Sequence, residues 1–513
     1  SSNVSAKGFP MTSRCWSVAF HGLDPRPVDV QCQLTEGSPG FAIVGLPDKA
    51  VAESRERVRA ALSALGLSLP SKRVVINLAP ADLPKEGAHF DLPIALALMA
   101  ELGAIPGDET ANCVAMGELS LDGQIVAVSG ALLGALSAAS EGRVFVCPAA
   151  CGPEAALVDG VEVLAPPSLV ALVNHFSGRH PLLPPAPAEA WDEPPEEDLA
   201  DVKGQEKARR ALEIAAAGGH NLLFVGPPGV GKSMLARALP GILPPLSARE
   251  ALEVSMMRSL SGKFVEGRLA RRRPFEKPHH TASVAAVIGG GRWAKPGDLC
   301  MAHRGVLFLD EMAEFARPVL ESLRQPLESG ECVISRANAH VRYPSRVQLI
   351  GAMNPCRCGH LADAARACSR APKCGEEYLS RLSGPLLDRI DLQVETPRIS
   401  ASQLARLPQG EPSAAVAERV AAARDVQAAR WADREDGFLN AHADGRMLDA
   451  AAAMDTDTRD LLGRAADKLD LSARGLTRVI RLARTIADLS GEPCVTRPHI
   501  AEAAGYRGAL SKW

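Results

Sequence analysis

Between Val28 and Leu34, and again between Val74 and Leu78, the chain has the apolar spacing and β-branched content of strands. Ala50 to Leu65 and Leu92 to Leu102 change to helical spacing, with Glu53, Arg55, Glu56, Arg57 and Arg59 placing charge on the first helix. This is an α+β pattern. From Gly178 to Ala200 the periodicity lapses: six prolines and six acidic residues stand against one Arg, so the stretch cannot bury a core and reads as an extended linker. Beyond it, Gln205 to Ala217 is predicted helical, Asn221 to Val225 is a short apolar strand, and Gly226 to Ser233 is a glycine-rich turn into a helix beginning near Lys232. Val306 to Leu309 and Val347 to Met353 are continuous apolar runs, the pattern of strands buried on both faces. From about Ser400, helical spacing in Val416 to Arg430, Thr458 to Leu469, Arg474 to Leu489 and Pro498 to Ala504 predicts an all-α lid. The expected division is an N-terminal α+β domain over 11–177, a linker over 178–200, an α/β nucleotide-binding core over 201–400 and a helical domain over 401–513. Residues 1–10, ahead of Met11, read as an added remnant and stay outside the fold argument.

At 513 residues the chain has room for about three domains of ~150 residues each. A hydrophobic fraction of 46% with 23% charged residues excludes a disordered or collagen-like chain. The formal charge of -3 excludes a uniformly basic nucleic-acid coat, so charge must be read by segment. The longest apolar candidate, Ile125 to Ser140, is broken by Ser129, Gly130 and Gly134 and falls short of the ~20 residues a spanning helix needs, so no membrane span is expected. The N-terminus shows no leader-like series of basic, apolar and small residues, and the cysteines are scattered apart from one cluster. Reduced thiols and a cytoplasmic location are expected on both counts.

The chemistry starts at Gly226-Pro227-Pro228-Gly229-Val230-Gly231-Lys232-Ser233, with Met234 next in the chain, which fits G-x-x-x-x-G-K-[ST]. In such a loop, glycines let backbone N–H groups close on phosphates while the next helix offers its positive end, Lys232 neutralises β/γ oxygens and Ser233 holds Mg²⁺. ATP and Mg²⁺ are the cofactors this predicts. Val306-Leu307-Phe308-Leu309 ends in Asp310-Glu311. Two carboxylates in isolation are usually solvated surface, but behind a buried strand and after a phosphate loop they are expected to be catalytic, Asp310 on the Mg²⁺ shell and Glu311 orienting the attacking water. The strand ending at Asn354 places an amide where it can reach the γ-phosphate or the water; otherwise Asn354 is a turn residue before Pro355. Arg389, in Ser383-Gly384-Pro385-Leu386-Leu387-Asp388-Arg389, could complete a neighbouring subunit's site, since an Arg supplied in trans stabilises the phosphoryl transition state; without that context it is ordinary surface charge.

Arg258 to Arg304 holds ten Lys/Arg and three Asp/Glu, a net of +7. Consecutive Arg271, Arg272 and Arg273, and the loop Gly289-Gly290-Gly291-Arg292 with Trp293 and Lys295, combine phosphate neutralisation with an aromatic that could stack, the ingredients of a DNA track indifferent to base sequence. Arg336, Arg342 and Arg346 in the alternating stretch Glu331 to Arg346 form a second candidate surface. Subunit salt bridges are the competing reading for any one of these arginines. Cys356, Cys358, Cys368 and Cys374 place four thiols within 19 residues, enough for a closed tetrahedral Zn²⁺ site, with His360 a substitute ligand; reduced thiols with no metal are the alternative.

With these residues in place, the chain resembles the magnesium-chelatase-like branch of AAA+ ATPases and, within it, the bacterial competence-associated helicase family ComM/YifB. GFAIVGLPDKAVAESRERVRAAL, NLAPADLPKEGAHFDLPIAL, RPFEKPHHTAS, AHRGVLFLDEMAEF and SGPLLDRIDL carry the resemblance alongside the phosphate loop. It implies a homo-oligomeric ring, usually a hexamer, with Asn354 as a sensor, Arg389 as the finger and Arg474 in the lid placed over the nucleotide, Arg478 being the alternative. It implies that Glu331 to Arg346 is a pore-facing hairpin and that the partner is single-stranded or branched DNA. It also implies a Lon-protease-like (ribosomal S5 domain 2-like) N-terminal domain. Here His89 and Leu132 stand at the positions of the nucleophilic Ser and its Lys, so neither the hydroxyl nor the amine of the dyad is supplied. The expected function is an ATP-driven motor for branch migration in recombination and natural transformation. The alternatives are a chelatase-type motor acting on a protein partner and, more remotely, a Lon-like protease.

Overall fold

The computed structural model describes residues 12–191, 197–263, 268–291, 294–336, 339–359, 361, 368–434 and 437–507. By its internal contacts the chain divides into two compact units, 1–191 with 251–270, and 192–250 with 271–513.

The first unit is built on a mixed seven-stranded sheet of β1 (Ser13–His21), β2 (Asp24–Thr35), β3 (Gly40–Val44), β4 (Arg73–Ala79), β5 (Cys113–Ala115), β6 (Val144–Val146) and β7 (Val163–Leu164), in the order β3-β4-β2-β1-β5-β6-β7. Strands β1, β2 and β4 pair antiparallel; β3 joins β4, and β5 to β7 extend from β1, in parallel. Helix α1 (Lys49–Ala64) begins where Asp48 accepts the Val51 N–H at 2.7 Å, which satisfies one of the donors a helix start leaves over. The DLPIALALMAE sequence of α2 (Asp91–Glu101) is apolar on every side, and Leu92 through Met99 are buried, as a helix enclosed by its own unit must be; α3 (Ala131–Ser140) buries Ala131 through Ala135 in the same unit. Segment 251–270 completes this unit. Leu252 and Met256 pack against the apolar cluster of Val18, Met116, Leu132 and Phe145, and Gly130 N–H donates to Ser259 O at 3.0 Å. Residues Arg268–Ala270 pair in parallel with Glu189–Trp191, a strand within what composition alone presents as linker.

In the second unit, α4 (Glu206–Gly218), β8 (Leu222–Val225), α5 (Lys232–Ala238), β9 (Phe275–Glu276), β10 (Val306–Leu309), β11 (Glu331–Arg336), β12 (Ala339–Pro344), β13 (Gln348–Met353) and β14 (Leu392–Glu395) precede a helical section. Five strands form one parallel sheet in the order β9-β10-β13-β8-β14. Every residue of β8, β10 and β13 is buried, as their unbroken apolar runs predict for strands covered on both faces. The chain enters this sheet at β8, an interior strand beside the central β13, so the crevice at the carboxyl ends of β8, β10 and β13 is where a doubly wound sheet binds its ligand. Strands β11 and β12 form an antiparallel hairpin, with Cys332, Ile334, Val341 and Tyr343 buried on one face.

Helices α6 (Ser413–Arg430), α7 (Thr456–Lys468), α8 (Ala473–Leu489) and α9 (Arg497–Ala504) occupy the predicted all-α region. They share one apolar core with the sheet: Val420, Leu462, Val479, Ile486 and Ile500 belong to the same cluster as Leu222, Phe224 and Ile350. Among the described residues no helix is long and apolar enough to cross a membrane.

Candidate functional site

The loop after β8 turns tightly because its glycines allow it. A Cβ at Gly226 would sit 2.2 Å from Thr396 O, and Gly229 and Gly231 hold φ of 77° and 90°, left-handed values that disfavour any other residue. Helix α5 starts at Lys232, so its unpaired N–H groups face the loop, the arrangement that binds phosphate. Pro228 through Met234 line a cavity of about 360 Å³ together with Asp310, Glu311, Ala352, Met353 and Asn354. Three strand ends therefore converge on the residues that the sequence singles out.

Within the cavity, Lys232 Nζ donates to Gly226 O at 2.6 Å, Pro227 O at 2.7 Å and Asn354 Oδ1 at 3.2 Å. Burial brings its pKa down to about 8, against the opposing pull of Asp310 and Glu311. Ser233 Oγ donates to Asp310 Oδ2 at 3.0 Å, so a hydroxyl and a carboxylate already meet where a phosphate-bound Mg²⁺ would need both. Glu311 stands next at the strand tip with φ 52° and ψ 45°. A non-glycine residue held in that region at a ligand cavity is strain of the kind that aims a side chain.

Two residues of this site were not singled out from the sequence. Lys277 Nζ lies 2.9 Å from Asp310 Oδ2, and His280 Nδ1 lies 3.5 Å from Glu311 Oε2. Both come after β9, whose parallel register of Phe275 with Val306 and Glu276 with Leu307 carries the next residues toward the carboxylates. The signal was available in RPFEKPHHTAS, where two basic side chain types directly succeed a short strand.

Arg389 does not line the phosphate cavity. Its guanidinium reaches Arg324 O at 3.0 Å, Pro385 O at 2.7 Å and the Glu328 carboxylate, beside a separate cavity of about 430 Å³ lined also by Glu321, Gln325 and Ser329. Arg474 is exposed near the start of α8 and is likewise absent from the lining. The alternative, Arg478, is bonded to Asp391 at 2.5 Å.

The Cys356, Cys358 and Cys374 sulfurs lie within 4.8 Å of one another. Cys368 is not among these three; it stands near Cys374, whose thiol is pushed up by burial and by the neighbouring sulfurs. A tetrahedral centre with ~2.3 Å metal–sulfur bonds spaces its sulfurs ~3.8 Å apart, so these three thiols are close enough together to hold a metal ion of that kind. The loop also touches the phosphate site: a Cβ at Gly359 would meet Pro228 Cδ at 2.8 Å.

Of the basic residues proposed for DNA, Arg271 and Lys295 are exposed. Arg273 is turned inward instead, its guanidinium bonded to both oxygens of Glu250, to Pro244 O and to Arg304 O. A buried carboxylate needs such a partner, which makes Arg273 a brace with four of its five N–H donors already engaged inside the protein. Arg292 and Trp293 lie outside the described residues, as does His360; Arg336 is described in its backbone alone, in β11. In the first unit, His89 is buried with Nε2 on Val18 O at 2.9 Å, and Leu132 is fully buried.

The family model described as "Magnesium chelatase, subunit ChlI" matches residues 198–404, and models for "Subunit ChlI of Mg-chelatase" and its C-terminal region match 30–151 and 410–507. The chain is 41% identical to "Competence protein ComM" of Haemophilus influenzae over 96% of this chain and 97% of that protein. It is 42% identical to "Uncharacterized protein YifB" of Escherichia coli over 95% of each. Similarity extends at 27% to the "Magnesium-chelatase 38 kDa subunit" of Cereibacter sphaeroides, over 59% of this chain and 88% of that one. A parallel sheet presenting a phosphate loop, a carboxylate pair and an amide at three strand ends, with relatives matched nearly end to end, places this chain in the ComM/YifB family of magnesium-chelatase-like AAA+ ATPases.

Proposed function

We propose that this protein is an ATP-driven ring motor, working in the cytoplasm, that moves along DNA and drives branch migration during recombination and natural transformation. The observation that carries the reading is the cavity itself. Lys232, Ser233, Asp310, Glu311 and Asn354 line it together, the set that would meet the phosphates, Mg²⁺, the attacking water and the γ-phosphate, while the basic segment that sets Lys277 and His280 against its carboxylates also carries exposed Arg271 and Lys295. Basic charge of the kind that tracks a phosphate backbone therefore sits in the same segment of chain as two residues paired with the carboxylates of the site. A relative named for competence supports a DNA substrate. Arg389, held away from its own phosphate cavity, acts on the neighbour's nucleotide, and the four-cysteine loop holds a structural Zn²⁺. The first unit has the Lon-like fold without its proteolytic dyad.

The similarity to a magnesium-chelatase subunit favours one other reading, a motor that acts on a protein partner. Turnover measured with and without branched DNA separates the two: a DNA motor is stimulated by the branched substrate. Glu311→Gln should retain ATP and lose at least about 10²-fold in hydrolysis, because the water-orienting carboxylate alone is removed. Wild-type turnover in that variant would overturn the assignment of the site.

A further inference from the structure

At the opposite end of the parallel sheet from the phosphate loop, a buried polar cluster gathers five segments of chain. Asp391, which precedes β14, is 3% exposed. Its Oδ2 accepts the Asn221 backbone N–H at 3.3 Å and meets His220 Nδ1 at 3.3 Å, while Oδ1 accepts from Arg478 Nη1 of α8 at 2.5 Å. The Asn221 side chain points two ways, Nδ2 donating to Arg389 O at 2.9 Å and Oδ1 accepting the Leu349 N–H at 2.8 Å. Arg507 Nη1 donates to Ile390 O at 2.7 Å. The short run 389–391 is therefore held from several other segments, while the Arg389 guanidinium extends outward toward Glu328.

Arg478 cannot serve this cluster and the nucleotide at once. Strand β14 runs parallel to β8 with Leu392 opposite Leu222, so Asp391, at the start of β14, lies level with the start of β8, whose far end bears the phosphate loop. Five residues at ~3.3 Å each separate Asn221 from Gly226, about 16 Å. Nor is Asp391 an idle surface partner. Burial works against its charge, yet His220, Arg478 and Arg481 hold its carboxyl well below the usual carboxylate range, so the ion pair is intact throughout the physiological range.

We infer that Arg478 is a positioning residue for Arg389: through Asp391, the helical section of a subunit sets the main chain that carries the cation offered to the neighbouring subunit's nucleotide. The inference rests on the reading of Arg389 as acting in trans. It fits the scale of the effect such a contact can have, since displacing a catalytic group by ~1 Å costs about 10²-fold in rate.

The test uses full-length chains in mixed assemblies. Lys232→Ala supplies an intact Arg389 without hydrolysing ATP, and Arg389→Ala supplies an intact phosphate site, so the pair should recover turnover that neither shows alone. Adding Arg478→Ala to the Lys232→Ala chain should remove most of that recovery, by about 10-fold or more. Adding it to the Arg389→Ala chain should leave recovery and nucleotide affinity within about twofold, because that chain's finger is already gone. Arg478→Lys, which keeps the charge on Asp391 and guards against a folding defect, should restore part of the loss; melting temperatures check both variants. Equal loss in the two placements, or weakened ATP binding by the altered chain itself, overturns the inference and leaves Arg389 in trans standing. No recovery in the parent pair, with subunit exchange established by labelled chains, overturns the trans reading and this inference with it.

Discussion

Lys232 carries its charge where charge is hard to keep. With its pKa brought from 10.5 to about 8 by burial, the folded protein releases this proton before the unfolded chain does. Between roughly pH 8 and 10.5 the unfolded state therefore binds more protons, and this residue's contribution makes stability rise with pH across that window. Nucleotide affinity should move the other way. ATP needs the ammonium, so above about pH 8 each further unit should weaken binding by up to about tenfold until other groups titrate. A fluorescent-nucleotide titration from pH 7 to 9.5, with Lys232→Arg as the variant that holds its charge, checks the sign: flat affinity in the wild type would exclude this titration as the cause. The residues beside Lys232 show what kind of information a sequence carries. Gly226 to Ser233 were legible because the spacing itself encodes the loop, and Asp310 with Glu311 because four apolar residues precede them. Lys277, His280 and the inward turn of Arg273 were not, since each depends on a partner brought close by the fold: Asp310, Glu311 and Glu250.

At the scale of elements, the Cys356 to Cys374 loop is a brace set against the phosphate site. It comes directly after Asn354 and packs Gly359 onto Pro228. Removing metal from it should reduce assembly more than subunit folding and should also weaken ATP binding by several-fold, because one wall of the loop around Pro228 loses its support. Metal analysis of reduced, chelator-free protein and nucleotide titration before and after chelation check this; protein without zinc, or affinity unaffected by chelation, would refute it. The exposed basic segment makes a separate claim. If about three phosphates per subunit are neutralised by residues such as Arg271 and Lys295, raising salt from 50 to 200 mM should cut DNA affinity by about 40-fold, with little dependence on sequence. A salt-insensitive interaction would count against it. The strands and helices that periodicity singles out agree with the structure to within a few residues, as where α6 extends from Ser413, ahead of the apolar spacing that starts at Val416, but β1 and β3 of the first sheet, Ser13–His21 and Gly40–Val44, were not among them. The strand Glu189–Trp191 was not legible, because its partner lies at Arg268–Ala270 and composition speaks only for disorder. The same distance hid the bond from Asp391 to Arg478.

At the scale of the whole molecule, similarity that covers about 96% of the chain and of its relatives means that the two units are inherited together. Their boundary is not a single cut. The first unit takes residues 251–270 from the middle of the second, and Leu252, Met256 and Ser259 meet its apolar cluster and the turn at Gly130. This has a consequence in time. A ribosome will have released the last strand of the seven-stranded sheet, Val163–Leu164, long before it makes the segment that finishes the same unit. Until residue 270 emerges, the nascent chain presents an uncovered apolar face and one unpaired strand at Glu189–Trp191, a waiting period in which a chaperone has something to hold. A chain ended at Trp191 should accordingly fold its sheet yet bind a hydrophobic dye and self-associate, and a peptide spanning 248–270, added in trans, should suppress both. Dye binding no greater than that of the full chain would mean that the early-made portion closes its surface without help from residues 251–270.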